Sequence, residues 1–228
     1  HHHEHVFTNH LFPEAKAICQ TECREETIAQ DEVIGLYPKY FPEIDFTGIK
    51  TTPQDITYEK QLSIYLDDRE VRLIHHKPAH TRGDTFVYLP KERVIFAGDL
   101  LFFYSTPLAL EGYIGGWIET TDVMTNLGAK IYVPGHGPVC GIEGPSECRE
   151  YLVLVRDEAR KRFDAGMNSY DAAKDIDLGR FKMWANPERV VANVERVYHE
   201  FRGEELACKL DALALLGKMR EFAVKSEL

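Results

Sequence analysis

The chain has 228 residues, 44% of them hydrophobic, and carries 37 acidic against 27 basic side chains for a formal net charge of −10. That is enough for one sizeable core with an appendage. No apolar run approaches the roughly 20 residues that span a bilayer, and so acidic a chain is a poor partner for nucleic acid, whose binding rests on Lys and Arg neutralising phosphates.

The chain opens on His1-His2-His3-Glu4-His5 and runs directly into Val6-Phe7-Thr8-Asn9-His10. Two readings are open: the remnant of an expression tag, or the start of a metal-binding cluster. Tags are usually followed by small linker residues, which are absent here. Residues 15–20 read as a short strand and 22–34 as a helix. Residues 36–53, rich in Pro, Tyr and Phe, read as a surface loop. Strands follow at 56–58, 61–66 and 70–75: Leu62, Ile64 and Leu66 alternate with polar residues, and Asp67-Asp68 makes the hairpin turn. Residues 85–89 and 93–97 form a second hairpin around Pro90-Lys91-Glu92. Residues 117–127 read as a helix ended by Gly128, and 130–133 as a strand.

After Gly144 the pattern turns helical, at 147–165, 169–176, 187–201 and 204–222. This divides the chain into a core, 1–144, and a helical C-terminal extension, 145–228. In the third of these helices Val190, Val191, Val194, Val197, Tyr198 and Phe201 form an apolar stripe. The stripe is expected to pack on the core or on a second copy, a homo-oligomer through the C-terminal helices; a lid over substrate is the other reading.

Cys19, Cys23, Cys140, Cys148 and Cys208 are odd in number and contain no C-x-x-C pair. Cys19-x-x-x-Cys23 is half of a possible zinc site that no second pair completes. Reduced thiols in a cytoplasmic protein are expected, with Cys140 packing near His136.

Three short motifs carry the chemistry: His80-Thr81-Arg82-Gly83-Asp84, Gly98-Asp99-Leu100 and Pro134-Gly135-His136-Gly137-Pro138. Each follows a strand-like run and sits in a tight turn, where the backbone delivers a ligand without bulky neighbours. Imidazole suits a borderline metal, and a carboxylate bridges two of them. His80, Asp99 and His136 are therefore candidate ligands, delivered from strand ends into neighbouring loops. Asp84 either orients a ligating imidazole or caps a turn. His75 and His76 read as strand-end residues and His10 as a helix start. Phe102, Phe103, Tyr104, Tyr113 and Trp117 surround the loop after Asp99, as core or as pocket lining.

The order and spacing of these motifs resemble the metallo-β-lactamase superfamily over about residues 1 to 140. The family's first motif reads H-x-H-x-D-H, with an Asn a few residues on. Counting back from Asn9, His5 falls on the last His, Glu4 on the Asp and His2 on the second His. The first His would lie one position before residue 1. A rival register takes His1 and His3 as the H-x-H pair, puts His5 at the acidic position and Val6 at the final His, and loses two ligands.

The resemblance implies an α/β fold, a four-layer αββα sandwich with metals at one edge, followed by the helical extension. The family's first strands are missing, and the chain has no initiator Met, which implies a piece of a longer protein. Two zinc ions per chain are implied, with iron or manganese as variants. One is held by the missing His, His2 and His80; the other by Glu4, His5 and His136; Asp99 bridges both. Asp99 and Glu4 are the implied catalytic residues. The implied activity is dinuclear zinc-type hydrolysis of an ester, lactone, thioester or amide bond in a small-molecule substrate. Its nucleophile is a metal-bound hydroxide, since zinc lowers the pKa of its water to about 7. Glu4 departs from the family's Asp by one methylene and implies a compromised ligand. Two other classes stay open: an iron-dependent thiol dioxygenase or other redox member, and a metal-binding protein without turnover. The segment from Asp177 to Arg189 looks like the tail of hydrolase-like members and names no substrate.

Overall fold

The computed structural model describes residues 2–29, 38, 42–205 and 210–226, apart from the side chains of residues 3, 4, 213, 225 and 226. A one-turn helix, α1 (His3–Val6), and a 3-10 turn, Asn9–Leu11, precede the first strand. β1 (Ile18–Gln20) runs into α2 (Thr21–Ala29), and β1 pairs in parallel with β2 (Ile56–Tyr58). The Gln20 side chain caps α2 by accepting the N–H groups of Glu22 at 2.5 Å and Cys23 at 3.3 Å. The expected helix at 22–34 is thus present to Ala29, and its remainder lies outside the described residues.

The alternation read in residues 61–66 extends to a five-stranded sheet: β3 (Gln61–Leu66), β4 (Arg69–Ile74), β5 (Phe86–Leu89), β6 (Val94–Phe102) and β7 (Ile131–His136), in that order. β3 to β6 are antiparallel neighbours, and β7 joins β6 in parallel. Asp67 takes the left-handed conformation (φ 53°) in the first hairpin turn, where aspartate is among the residues that tolerate it. The fold is the expected mixed α/β class; its second sheet is the two-stranded β1–β2 pair.

One face of the large sheet packs on helices. Phe86, Tyr88, Ile95, Ala97 and Tyr132 are buried there. The hydroxyls of Tyr88 and Tyr132 donate to the Leu127 and Met124 carbonyls, near the end of α3 (Ile114–Asn126). α3 begins three residues before its expected start and packs against α4 (Glu143–Asp164). On the opposite face, Val87, Phe96 and Val133 share a cross-strand row, and Leu89, Val94 and Ile131 the next; Phe96 is 44% exposed.

The boundary expected after residue 144 falls in the first turn of α4, which starts at Glu143 because Pro145 suits an opening turn. α5 (Ser169–Asp175), α6 (Val190–Phe201) and α7 (Ala212–Ser226) follow. α7 starts later than the expected residue 204, and residues 206–209, including Cys208, lie outside the described residues. The apolar stripe of α6 is buried against α4 and α5 of its own chain. One cluster of buried residues runs from Ala79 to Met219, so the C-terminal helices share a core with the sheet.

Candidate metal centre

His80 sits in the turn between β4 and β5 and is 4% exposed. Asp84 builds that turn: one carboxylate oxygen accepts the Thr81 N–H at 2.6 Å and the other the Thr81 hydroxyl at 2.7 Å. Burial pushes the Asp84 carboxyl up, against the pull of these bonds. Of its two expected roles, Asp84 is therefore the turn clip. His75 contacts the Asp84 carbonyl through Nδ1 at 2.8 Å, and His76 lies 3.9 Å from Glu119, away from the candidate ligands.

Asp99 was expected in a loop; it lies inside β6. The strand continues through Gly98 to Phe102, with register shifts against β7 on both sides of Gly98. Such irregularity re-aims a side chain without ending the strand. His136, on the last residue of β7, stacks on Phe102 with ring centroids 4.5 Å apart. Gly135 is required beside it, because a Cβ there would sit 2.1 Å from Asp99 Oδ1.

Four imidazoles converge on Asp99. Its Oδ2 lies 3.3 Å from His5 Nε2 and 3.5 Å from His80 Nε2, and its Oδ1 lies 3.5 Å from His136 Nε2. The His2 ring meets the His80 ring edge-on at 4.9 Å. Ligand atoms of His2, His80 and Asp99 all fall within 4.8 Å of one another. Glu4 belongs to α1, but its side chain lies outside the described residues, as does residue 1. His10, expected at a helix start, is within the 3-10 turn, with Nδ1 2.6 Å from the Phe7 carbonyl.

Burial, then the neighbouring His2, lowers the pKa of His80 to about 3, so the ring stays neutral, the form that ligates. Burial alone would raise the Asp99 carboxyl. The hydrogen bond from His5 and the adjacent imidazoles outweigh it and hold the group well below the usual carboxylate range. Both ring nitrogens of His80 and Asp99 Oδ1 are buried with no hydrogen-bond partner among the described residues. Unsatisfied buried imidazole and carboxylate atoms within one cluster fit a cation.

A cavity of about 370 Å³ opens beside them, lined by His2, His5, Cys19, Cys23, His80 and Asp99 among others. Phe102 and Trp117 stand behind the imidazoles instead of lining it; the Trp117 ring lies 5.1 Å from that of His80. Phe103 is buried, Tyr113 half-buried and Tyr104 exposed. Gln54 also lines the cavity, and its Oε1 is buried with no partner among the described residues. The Cys19 and Cys23 thiols act on one another, which lowers the pKa of Cys23 and raises that of Cys19. Cys140 is buried, with its thiol 3.6 Å from the Tyr132 carbonyl, and packs as expected.

Two residues of this region carry no sequence signal of their own. Glu111 Oε2 lies 3.6 Å from His2 Nε2, in a stretch without a motif. Gln54 sits just before β2, where nothing local marks it as a cavity residue.

A family model described as the metallo-beta-lactamase superfamily matches residues 1–136. The chain is 32% identical over 78 residues to the 2,4-dinitroanisole O-demethylase subunit alpha of Nocardioides sp. (strain JS1661); this covers 34% of the chain and 24% of that protein. The chain thus spans about a quarter of the length of that curated relative. Among solved structures, a metallo-beta-lactamase family protein from Thermus thermophilus is similar with a TM-score of 0.56 at 16% identity, covering 83% of this chain and 67% of that one. The stereoselective inverting sec-alkylsulfatase from Pseudomonas sp. is similar with a TM-score of 0.54 at 15% identity, covering 69% and 28%. At these identities both show likeness of fold. No helix among the described residues is long and apolar enough to cross a membrane.

Proposed function

Since the chain belongs to the metallo-beta-lactamase superfamily, we propose that it is a metal-dependent hydrolase cleaving an ester, lactone, thioester or amide bond of a small molecule. The observation that carries this reading is the convergence of His2, His5, His80 and His136 on the two oxygens of Asp99 at the wall of a cavity.

His2, His80 and Asp99 would hold one ion, and His5, His136 and Asp99 a second, with Glu4 added by the resemblance. The donor set of imidazole and carboxylate suits zinc, with iron or manganese as variants. Bound metal supplies Lewis acidity, which acidifies water and polarises the bond to be cleaved. The chain's own residues prepare the site. Neutral His80 keeps its lone pair available, and ionised Asp99 presents one oxygen to each side. Gln54 Oε1 offers an acceptor to a substrate N–H or O–H. The relative named as a 2,4-dinitroanisole O-demethylase subunit supports a small molecule with a cleavable C–O bond.

Elemental analysis after dialysis, followed by hydrolysis assays with zinc, manganese or iron, tests the proposal. The panel contains esters, lactones, thioesters, amides and 2,4-dinitroanisole. Close to two ions per chain and chelator-sensitive hydrolysis are expected. A metal-loaded protein that hydrolyses nothing overturns the hydrolase reading, and bound iron with oxygen consumption replaces it with a redox one.

A further inference from the structure

α6 carries a second stripe besides its apolar one. Arg189, in the 3-10 turn that leads into the helix, and Asn193, Arg196 and Glu200 recur at spacings of four, three and four, which puts them on one helical face. Asn193 and Arg196 are almost fully buried. Buried polar side chains need partners, and all four find main-chain ones in one stretch, residues 106–115, which leads from β6 into the first turn of α3.

The contacts follow chain order. Arg189 donates to the Thr106 carbonyl at 2.9 Å. Asn193 donates to the Pro107 carbonyl at 2.9 Å and to the Tyr151 hydroxyl at 2.8 Å, while its Oδ1 accepts the Ala109 N–H at 2.9 Å. Arg196 donates to the Leu110 carbonyl. Glu200 accepts the N–H of Ile114 at 2.6 Å and of Gly115 at 3.3 Å, capping α3. Residues 106–113 belong to no helix or strand, and Thr106 and Ala109 are fully buried. Buried irregular backbone must find hydrogen bonds outside any ladder. Here the side chains of one helix supply them.

That segment reaches the metal centre at two points. Gly112 lies flat against the turn that carries His80: a Cβ there would be 2.4 Å from the Ala79 carbonyl oxygen and 2.8 Å from that of His80. The next residue, Tyr113, donates its N–H to the Ala79 carbonyl at 2.6 Å. Glu111, just before Gly112, meets His2. Trp117, in the first turns of α3, packs edge-on against the His80 ring.

We propose that the Arg189–Asn193–Arg196–Glu200 stripe positions the metal centre: it sets the main chain of residues 106–115, and through that segment the placement of His80 and His2. These are positioning residues and touch no substrate. The proposal rests on reading His2 and His80 as metal ligands.

Titration with cobalt(II), read by its visible absorption, and thermal unfolding of the metal-free protein together form the test. Asn193→Ala and Glu200→Ala are expected to weaken cobalt affinity by about 10–100-fold, the range typical of groups that orient ligands, and to alter the spectrum of the bound ion. Glu200→Gln, which keeps an acceptor for the Ile114 N–H, should restore affinity to within about threefold of wild type. Val197→Ala, in the apolar stripe of the same helix, serves as a control for lost stability alone. If it lowers cobalt affinity as much as a stripe variant of equal melting temperature, the stripe is only structural and the proposal falls. It falls equally if folded stripe variants bind cobalt with wild-type affinity and spectrum. Should Asn193→Ala not fold, Glu200→Ala and Arg189→Met against the same control decide. His80→Ala separates the two levels. If it binds cobalt like wild type, the ligand reading itself fails; if it loses cobalt while the stripe variants do not, only the positioning role fails.

Discussion

Asp99 Oδ1 lies 3.5 Å from His136 Nε2, while the other oxygen of the same carboxylate faces His5 and His80. The residue stands between histidines brought in by three separate parts of the chain, and no neighbouring carboxylate among the described residues is placed to substitute for both oxygens at once. Asp99→Ala should lose at least part of the bound metal and essentially all turnover. Asp84→Ala should cost about 10–100-fold, because it loosens the turn of His80 and removes no ligand. Elemental analysis and hydrolysis rates on both variants check this; equal metal content in wild type and Asp99→Ala would end the bridging assignment.

Gly135→Ala tests how closely the backbone must approach the same carboxylate. The added Cβ would come within 2.1 Å of Asp99 Oδ1 and 2.7 Å of the Gly98 carbonyl carbon, so either Asp99 or the β6–β7 contact shifts. Overpacking of this kind costs about 1–3 kcal/mol. Small displacements near the chemistry can cost about 100-fold in rate. Melting temperature and metal affinity should both fall, and a variant matching wild type in both would show that the strands yield freely.

Glu200 supplies a pH signature of stability. Burial raises its carboxyl to about 7, against the hydrogen bonds from Ile114 and Gly115 and the charges of Arg196 and Arg156. The folded pKa exceeds the unfolded one, so the folded state holds the extra proton in between. The group's contribution is complete below the unfolded pKa and is lost as pH rises through the folded one. Glu200→Gln cannot ionise. Its stability relative to wild type should improve by about 1–3 kcal/mol between about pH 4.5 and pH 8. Urea unfolding across that range measures the gap, and a gap that does not change with pH would place Glu200 in an ordinary carboxylate environment.

The Cys19–Cys23 pair should be the most reactive of the four described cysteines. The neighbouring Cys19 thiol holds Cys23 below the ordinary thiol range, whereas burial pushes Cys140 up to about 11 and Cys148 up to about 12. Both thiols of the pair line the cavity, which gives a small reagent a route. A methylthiosulfonate at neutral pH should modify this pair first, and Cys19→Ala should slow labelling of Cys23 by removing its partner. Mass spectrometry of proteolytic peptides reports the order; labelling that begins at Cys140 or Cys148 would refute it.

The sequence by itself determined most of the local structure and the identity of the candidate ligands. Alternation in residues 61–66 and the Asp67-Asp68 turn specify a hairpin, because the side-chain period of a strand and the left-handed tolerance of aspartate are local properties. His80, Asp99 and His136 were legible from their Gly- and Pro-rich surroundings, and the apolar stripe of α6 from its helical period. Only the tertiary structure decided what these residues meet. Asp99 stays within β6 because pairing with β7 carries the strand past Gly98, a partner that no window around Asp99 contains. Read along the helix, Arg189, Asn193, Arg196 and Glu200 are an ordinary polar face. Their main-chain partners lie more than 80 residues earlier in the chain. A buried hydrogen bond across such a separation has no local energetic trace; it forms only once the core has packed α6 against the segment it holds.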